Sequence, residues 1–165
     1  MPTPPVNRLG VPSLWSRIDR GEAFEPLKRP SGSRKRVAII EDEALIAFDM
    51  MVMVERLGGE VIATASTEAE AIAIAATARP DVVLMDLRLA EGDGARAAER
   101  IRENSGTAVV FVTGAADRET QRRLARISSA PVVTKPFRTR DLCAAVLTAA
   151  TAGFSDGSNR SGTAG

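Results

Sequence analysis

The feature that most constrains this chain is a repeated alternation of short, β-branched apolar runs with longer segments of helical periodicity. Five such units can be read. The apolar runs are Val37 to Glu41, Glu60 to Thr64, Val82 to Asp86, Ala108 to Val112 and Val132 to Thr134. The helical segments extend approximately from Glu43 to Leu57, Thr67 to Ala78, Ala95 to Asn104, Arg118 to Ile127 and Thr139 to Ala150. Parallel strands can be joined only by a crossover, and a helical crossover lays its apolar face on the sheet. Strict alternation therefore predicts an α/β fold, a doubly wound five-stranded parallel sheet with helices on both faces. Gly58-Gly59 supply a stop after the first helix, and Arg79-Pro80-Asp81 break the second before the third strand. The 165 residues suit one core flanked by tails. In the first helix, Leu45, Ile46, Met50, Met53, Val54 and Leu57 form one apolar stripe that is expected to pack on the core.

The flanks have a different composition. Residues 1–35 contain Pro2, Pro4, Pro5, Pro12, Pro26 and Pro30, followed by Ser31-Gly32-Ser33 and a basic run, and read as a flexible basic leader. The domain is expected over residues 36–150, and residues 151–165 read as a Gly/Ser-rich tail that leaves no room for an output domain. Residues 1–36 hold eight Arg/Lys against three Asp/Glu, and residues 37–165 hold fourteen against eighteen, so a +5 leader precedes a −4 body. Trp15 and Phe24 are the aromatic residues of that leader, and no reading helix accompanies them, so specific nucleic-acid recognition is not expected. Ser13 to Ile18 can form a short docking helix, with Leu14, Trp15 and Ile18 at near-helical spacing.

Composition excludes several chemistries. The chain has no His, hence no Ser-His-Asp triad, no His-ligated zinc and no phosphohistidine of its own. The one cysteine, Cys143, lies in an apolar run and reads as core filling. No apolar run reaches the roughly 20 residues of a bilayer span, and the start lacks the apolar core of a secretory signal. A cytoplasmic protein without a membrane span is expected.

Ligands of an open parallel sheet bind outside the carboxyl ends of its strands. Here those ends are polar. The first strand runs into Glu41-Asp42-Glu43, the third into Asp86, the fourth into Thr113 and the fifth into Lys135. Convergent carboxylates repel one another, and a hard divalent cation bound through oxygen is the usual remedy, with Mg2+ the natural candidate. Taken alone, the Glu41-Asp42-Glu43 run would be a solvated turn capping a helix. Taken together, the set suits phosphoryl transfer, which consists largely of positioning and charge neutralisation. Asp86 would be the nucleophile, Glu41 and Asp42 would hold Mg2+, Thr113 would donate to a phosphoryl oxygen, and Lys135 would pair with another.

Over roughly Val37 to Ala150 the chain resembles the receiver domains of bacterial two-component response regulators. The likeness rests on the ordered set Glu41-Asp42, Asp86, Gly94, Thr113 and Lys135-Pro136-Phe137. It implies a flavodoxin-like strand order, 2-1-3-4-5, a cis Lys135-Pro136 peptide, and a turn at Asp93-Gly94 opening the third helix. It also implies a metal contact from the backbone carbonyl of Arg88, and a phosphoryl donor that is a sensor histidine kinase or a histidine phosphotransfer protein. Phe111-Val112-Thr113-Gly114 looks like the subgroup with the pattern Phe-Ala-Thr-Gly-hydrophobic-Tyr, many of whose members are stand-alone receivers. The chain departs from it at Ala116, and it contains no Tyr. Val132 replaces an aromatic switch residue common in receivers, and Ala90 replaces a frequent Pro, a change expected to slacken residues 87–92. Gly114 is expected to loosen the start of the fourth helix.

A single-domain response regulator follows, one that assists its own phosphorylation and dephosphorylation and signals to a downstream protein or passes the phosphoryl group onward. The alternative is a receiver-like module that signals by binding alone, against which the full set of Glu41, Asp42, Asp86, Thr113 and Lys135 counts.

Overall fold

The computed structural model describes residues 25–114, 116–129 and 131–152. The elements alternate along the chain as β1 (Arg36–Ile40), α1 (Ala44–Arg56), β2 (Glu60–Ala65), α2 (Glu68–Ala78), β3 (Val82–Met85), α3 (Gly94–Ser105), β4 (Ala108–Thr113), α4 (Arg118–Ile127), β5 (Val133–Thr134) and α5 (Thr139–Ala152). Each lies within one or two residues of its expected bounds. The strands form one parallel sheet in the order β2-β1-β3-β4-β5. Crossovers reverse direction between β1 and β3, which places the open end of that strand pair at the ligand-binding position of such sheets.

Alternation along the strands sorts the core into two layers. Val37, Ile39, Val82, Leu84, Val110 and Val112 face Met50 and Val54 of α1 and Leu142, Cys143 and Val146 of α5. Ala38, Ile40, Val83, Met85, Val109 and Phe111 face α2, α3 and α4. Both faces of β3 are covered, so all four of its residues are buried, as its unbroken apolar sequence requires. Cys143 fills the first layer, and burial pushes its thiol up to about 11, so no thiolate is available. Side chains define the helix starts: Thr67 accepts from Glu70 N, Asp93 from Arg96 N and Asp117 from Thr120 N. Among the described residues no helix is long and apolar enough to cross a membrane.

Two expectations are corrected. The expected flexible leader differs from residue 25 on, because residues 25–35 form a strap packed on the fold. Leu27 is fully buried, its N–H donates to Leu57 O at 2.8 Å, and its carbonyl accepts from Lys35 N at 2.8 Å. Arg29 reaches Asp81, which also accepts from Arg36 N. Gly58 and Gly59 do more than end α1. A Cβ on Gly59 would stand 2.7 Å from Val54 Cγ1 and 3.0 Å from Leu27 Cδ1, so the glycines admit the strap. The second correction concerns α1, whose stripe is rotated from the expected one. Met50, Val54 and Leu57 are buried and Ile46 and Met53 are half-buried, but Leu45 is 82% exposed. The leader through Phe24, with its Ser13–Ile18 segment, and the tail from Gly153 lie outside the described residues.

Leu27→Ala is expected to lower unfolding stability in urea by about 2–5 kcal/mol, the cost of truncating a buried leucine. Deleting residues 1–33 should lower it at least as far. An unchanged unfolding midpoint in both would show that the strap contributes nothing to the core.

Candidate functional site

Strand register builds the site. Ile40 pairs with Met85, so the next residues, Glu41 and Asp86, emerge side by side at the carboxyl edge. Asp86 N donates to Ile40 O at 2.9 Å, extending the ladder by one bond. Two strands away, Thr113 pairs with Thr134 and its carbonyl accepts from Lys135 N at 2.8 Å. Lys135 precedes a cis peptide to Pro136. Its ammonium lies 2.6 Å from Glu41 Oε2 and 2.9 Å from Asp86 Oδ2. Glu41, Asp86 and Thr113 are the buried polar or charged residues among those described, and all three stand at this edge.

Glu41, Asp42 and Asp86 each offer a carboxylate oxygen within 4.8 Å of the others, with Asp42 exposed. Burial pushes the Glu41 carboxyl above its usual value, outweighing its contacts with Lys135 and with Glu43 N–H. Burial acts against the Lys135 ammonium as well, yet Glu41 and Asp86 together hold its pKa above the usual lysine value. The cation is thus firmly retained while the Glu41 carboxylate remains under-compensated. Among the protein groups described, buried Glu41 Oε2 has the Lys135 ammonium as its one polar partner. An all-oxygen set of three carboxylates against one ammonium, two of them buried and one solvent-facing, fits a hard divalent cation. Helix capping does not account for the acidic run, because Glu43 at the start of α1 makes no side-chain cap bond.

The loop after β3 is tied down in ways the sequence did not suggest. Arg88 N donates to Asp86 Oδ1 at 3.3 Å, orienting the carboxylate. Ala90 N donates to Ser66 O at 2.9 Å, and Glu68 N donates to Glu91 O at 3.0 Å. The missing proline therefore does not slacken residues 87–92; it supplies an N–H that proline lacks. Gly94 packs against Asp86 O so closely that any Cβ there would collide with that carbonyl. Gly114 has no such constraint, since a Cβ there would meet nothing within 4 Å.

Sequence reasoning missed Glu68. Its carboxylate accepts from Asp93 N at 2.9 Å and forks onto Arg96, with Nε and Nη2 each at 2.7 Å. Arg96 and the Asp93 N–H hold the Glu68 carboxyl at about 2. The Thr67-to-Glu70 cap marks where α2 starts, but nothing local to Glu68 announces a partner 25 residues away. Glu68 thus clamps the turn that carries Gly94 against Asp86.

The response regulator receiver domain matches residues 37–147. The chain belongs to that family. The receiver is similar to the transcriptional regulatory protein PdtaR of Mycobacterium tuberculosis, 33% identical over 112 residues that make up 68% of this chain and 55% of that protein. It is likewise similar to the phyllosphere-induced regulator PhyR of Methylorubrum extorquens, 36% identical over 112 residues, 67% of this chain and 41% of that protein. The chain thus spans about half the length of the curated relatives it matches. Among solved structures, the receiver domain of a modulated diguanylate cyclase from Desulfovibrio desulfuricans superposes with a TM-score of 0.66 at 28% identity, covering 72% of this chain and 94% of that one. A chain of the CheX-CheY-BeF3-Mg complex from Borrelia burgdorferi shares the fold, with a TM-score of 0.70 at 18% identity over 75% of this chain and 96% of that one. The chain thus carries the receiver domain of the two-component response regulator family.

Because the Glu68 pKa is depressed in the folded receiver, its stabilising effect is complete above the unfolded value of about 4.3 and fades as pH falls toward 2. Glu68→Gln should flatten the decline of Tm between about pH 5 and pH 2, measured by thermal unfolding across that range. A decline identical to that of the parent chain would show that the Arg96 contact adds nothing.

Proposed function

We propose that Asp86 accepts a phosphoryl group from a phosphohistidine, with Mg2+ held by Glu41, Asp42, Asp86 and the backbone carbonyl of Arg88. The observation that carries this reading is the Lys135 ammonium set between Glu41 and Asp86, in a member of the receiver family. The donor in this reading is a sensor histidine kinase or a histidine phosphotransfer protein, and these 165 residues contribute no His to it.

In this reading a carboxylate oxygen of Asp86 attacks phosphorus. The P–O bond forms as the P–N bond breaks, and the electron pair leaves on the donor's imidazole nitrogen. Arg88 N–H and Lys135 hold the carboxylate on its two sides and restrict its rotation. Lys135 then turns its charge to a phosphoryl oxygen, and the Thr113 hydroxyl, at the same edge, donates to another. A bound Mg2+ supplies further neutralisation of the carboxylates and the incoming oxygens. The protein is not an enzyme for a separate substrate; it assists formation and hydrolysis of its own acyl phosphate.

Output follows from the added charge. A dianion on Asp86 draws Thr113 inward and biases the segment leading into α4 toward a second arrangement. Val132 packs half-buried against the second core layer, so this response proceeds without an aromatic switch at that position. The signal then leaves by contact with a downstream protein or by onward phosphotransfer, a reading supported by the likeness of Phe111 to Gly114 to the stand-alone subgroup.

With acetyl phosphate and Mg2+, intact-mass analysis should find one acid-labile phosphoryl group per chain, absent from Asp86→Ala. Lys135→Ala should slow its formation by about a hundredfold, as loss of one preorganised charge does elsewhere. Full labelling of Asp86→Ala would overturn the assignment.

A further inference from the structure

Leu45 and Phe48 are the large apolar side chains left open to solvent among the described residues, at 82% and 56% exposure. They stand three positions apart on α1, and half-buried Val52 continues the same face one turn further. This face points away from the sheet, which α1 covers with Met50 and Val54. Along it run exposed Asp42, Glu43, Asp49 and Glu55, with the exposed Arg56 at its carboxyl end the one basic residue against four acids. It is thus an apolar strip with an acidic border and no described partner.

The strap shows where the preceding chain must come from. Leu27 is hydrogen-bonded to Leu57, and Glu25 lies so close to Gly58 that a Cβ on that glycine would stand 2.6 Å from Glu25 Cβ. The described chain therefore starts, at Glu25, beside the carboxyl end of α1. From Gly58 back to Leu45 the helix is roughly 20 Å long at 1.5 Å per residue. The seven steps from Glu25 back to Ile18 span up to roughly 25 Å when extended, at about 3.6 Å each. Leu14, Trp15 and Ile18 lie at helical spacing and are interrupted and followed by Arg17 and Arg20.

We propose that the segment Ser13–Ile18 docks on the exposed Leu45–Phe48–Val52 face of α1 within the same chain. Running parallel to α1, Leu14 and Trp15 meet Leu45 and Phe48, Ile18 meets the Val52 end, and the two arginines face Asp49 and Glu55. The inference does not depend on the phosphorylation reading.

Trp15 is the sole tryptophan of the chain, so its emission reports the contact directly. In the full chain its emission should be blue-shifted, and acrylamide should quench it less, relative to a free peptide of residues 11–20. Leu45→Ser with Phe48→Asp, both at exposed positions, should return emission and quenching to the peptide values while far-ultraviolet circular dichroism is unchanged. Ile18→Asp should do the same from the other side of the contact. Peptide-like emission in the parent chain, or protection that survives the α1 substitutions, would overturn the proposal. So would protection that grows with protein concentration alongside a dimer in sedimentation velocity, which would assign the face to a second copy.

Discussion

Three carboxylates gathered at one edge of a sheet repel one another, and the ion pairs from Lys135 to Glu41 and Asp86 are the contacts that make the arrangement tenable among the described residues. The fold serves that juxtaposition. Pairing of β1 with β3 sets Glu41 beside Asp86, and pairing of β4 with β5 sends Lys135 back over both. The two partners respond oppositely to their shared burial. Lys135 keeps its charge more firmly than usual, whereas Glu41 gives up its charge more readily. One ammonium does not neutralise three acids, and that residual negative charge makes a divalent cation the natural complement.

Around this centre the backbone is fixed by contacts that lie outside the acidic cluster. Gly94 closes against Asp86 O, Glu68 holds the Asp93 turn, and Ala90 ties the loop to Ser66. These bonds join the β2–α2 and β3–α3 connections into one unit, so the acceptor side chain is presented from a braced loop. The strap at residues 25–35 closes the opposite, carboxyl end of α1 and places the chain before it within reach of the outer face of that helix.

Much of this was legible in the sequence because parallel sheets write themselves plainly. Val82 to Met85 had to be strand and had to be buried on both sides, and Asp86 directly after it had to lie at an edge. Glu41, Asp42, Thr113 and Lys135 were found by the same reasoning. Leu27 was not, because a single apolar residue among Pro26, Lys28, Arg29 and Pro30 has no periodicity to reveal burial. Leu45 was placed in the core because α1 is apolar on more than one face, and sequence spacing alone does not say which face meets the sheet. Glu68 was silent because its role is a contact between two loops that only the fold brings together.

The central claim is that Glu41, Asp42 and Asp86 form one cation site under the control of Lys135, and calorimetric titration with Mg2+ tests it most directly. The expected result is one Mg2+ bound per chain, with at least tenfold weaker binding in Asp42→Asn, a loss of about 1.4 kcal/mol. Equal Mg2+ affinity in the parent chain and Asp42→Asn, or no binding to either, would contradict it.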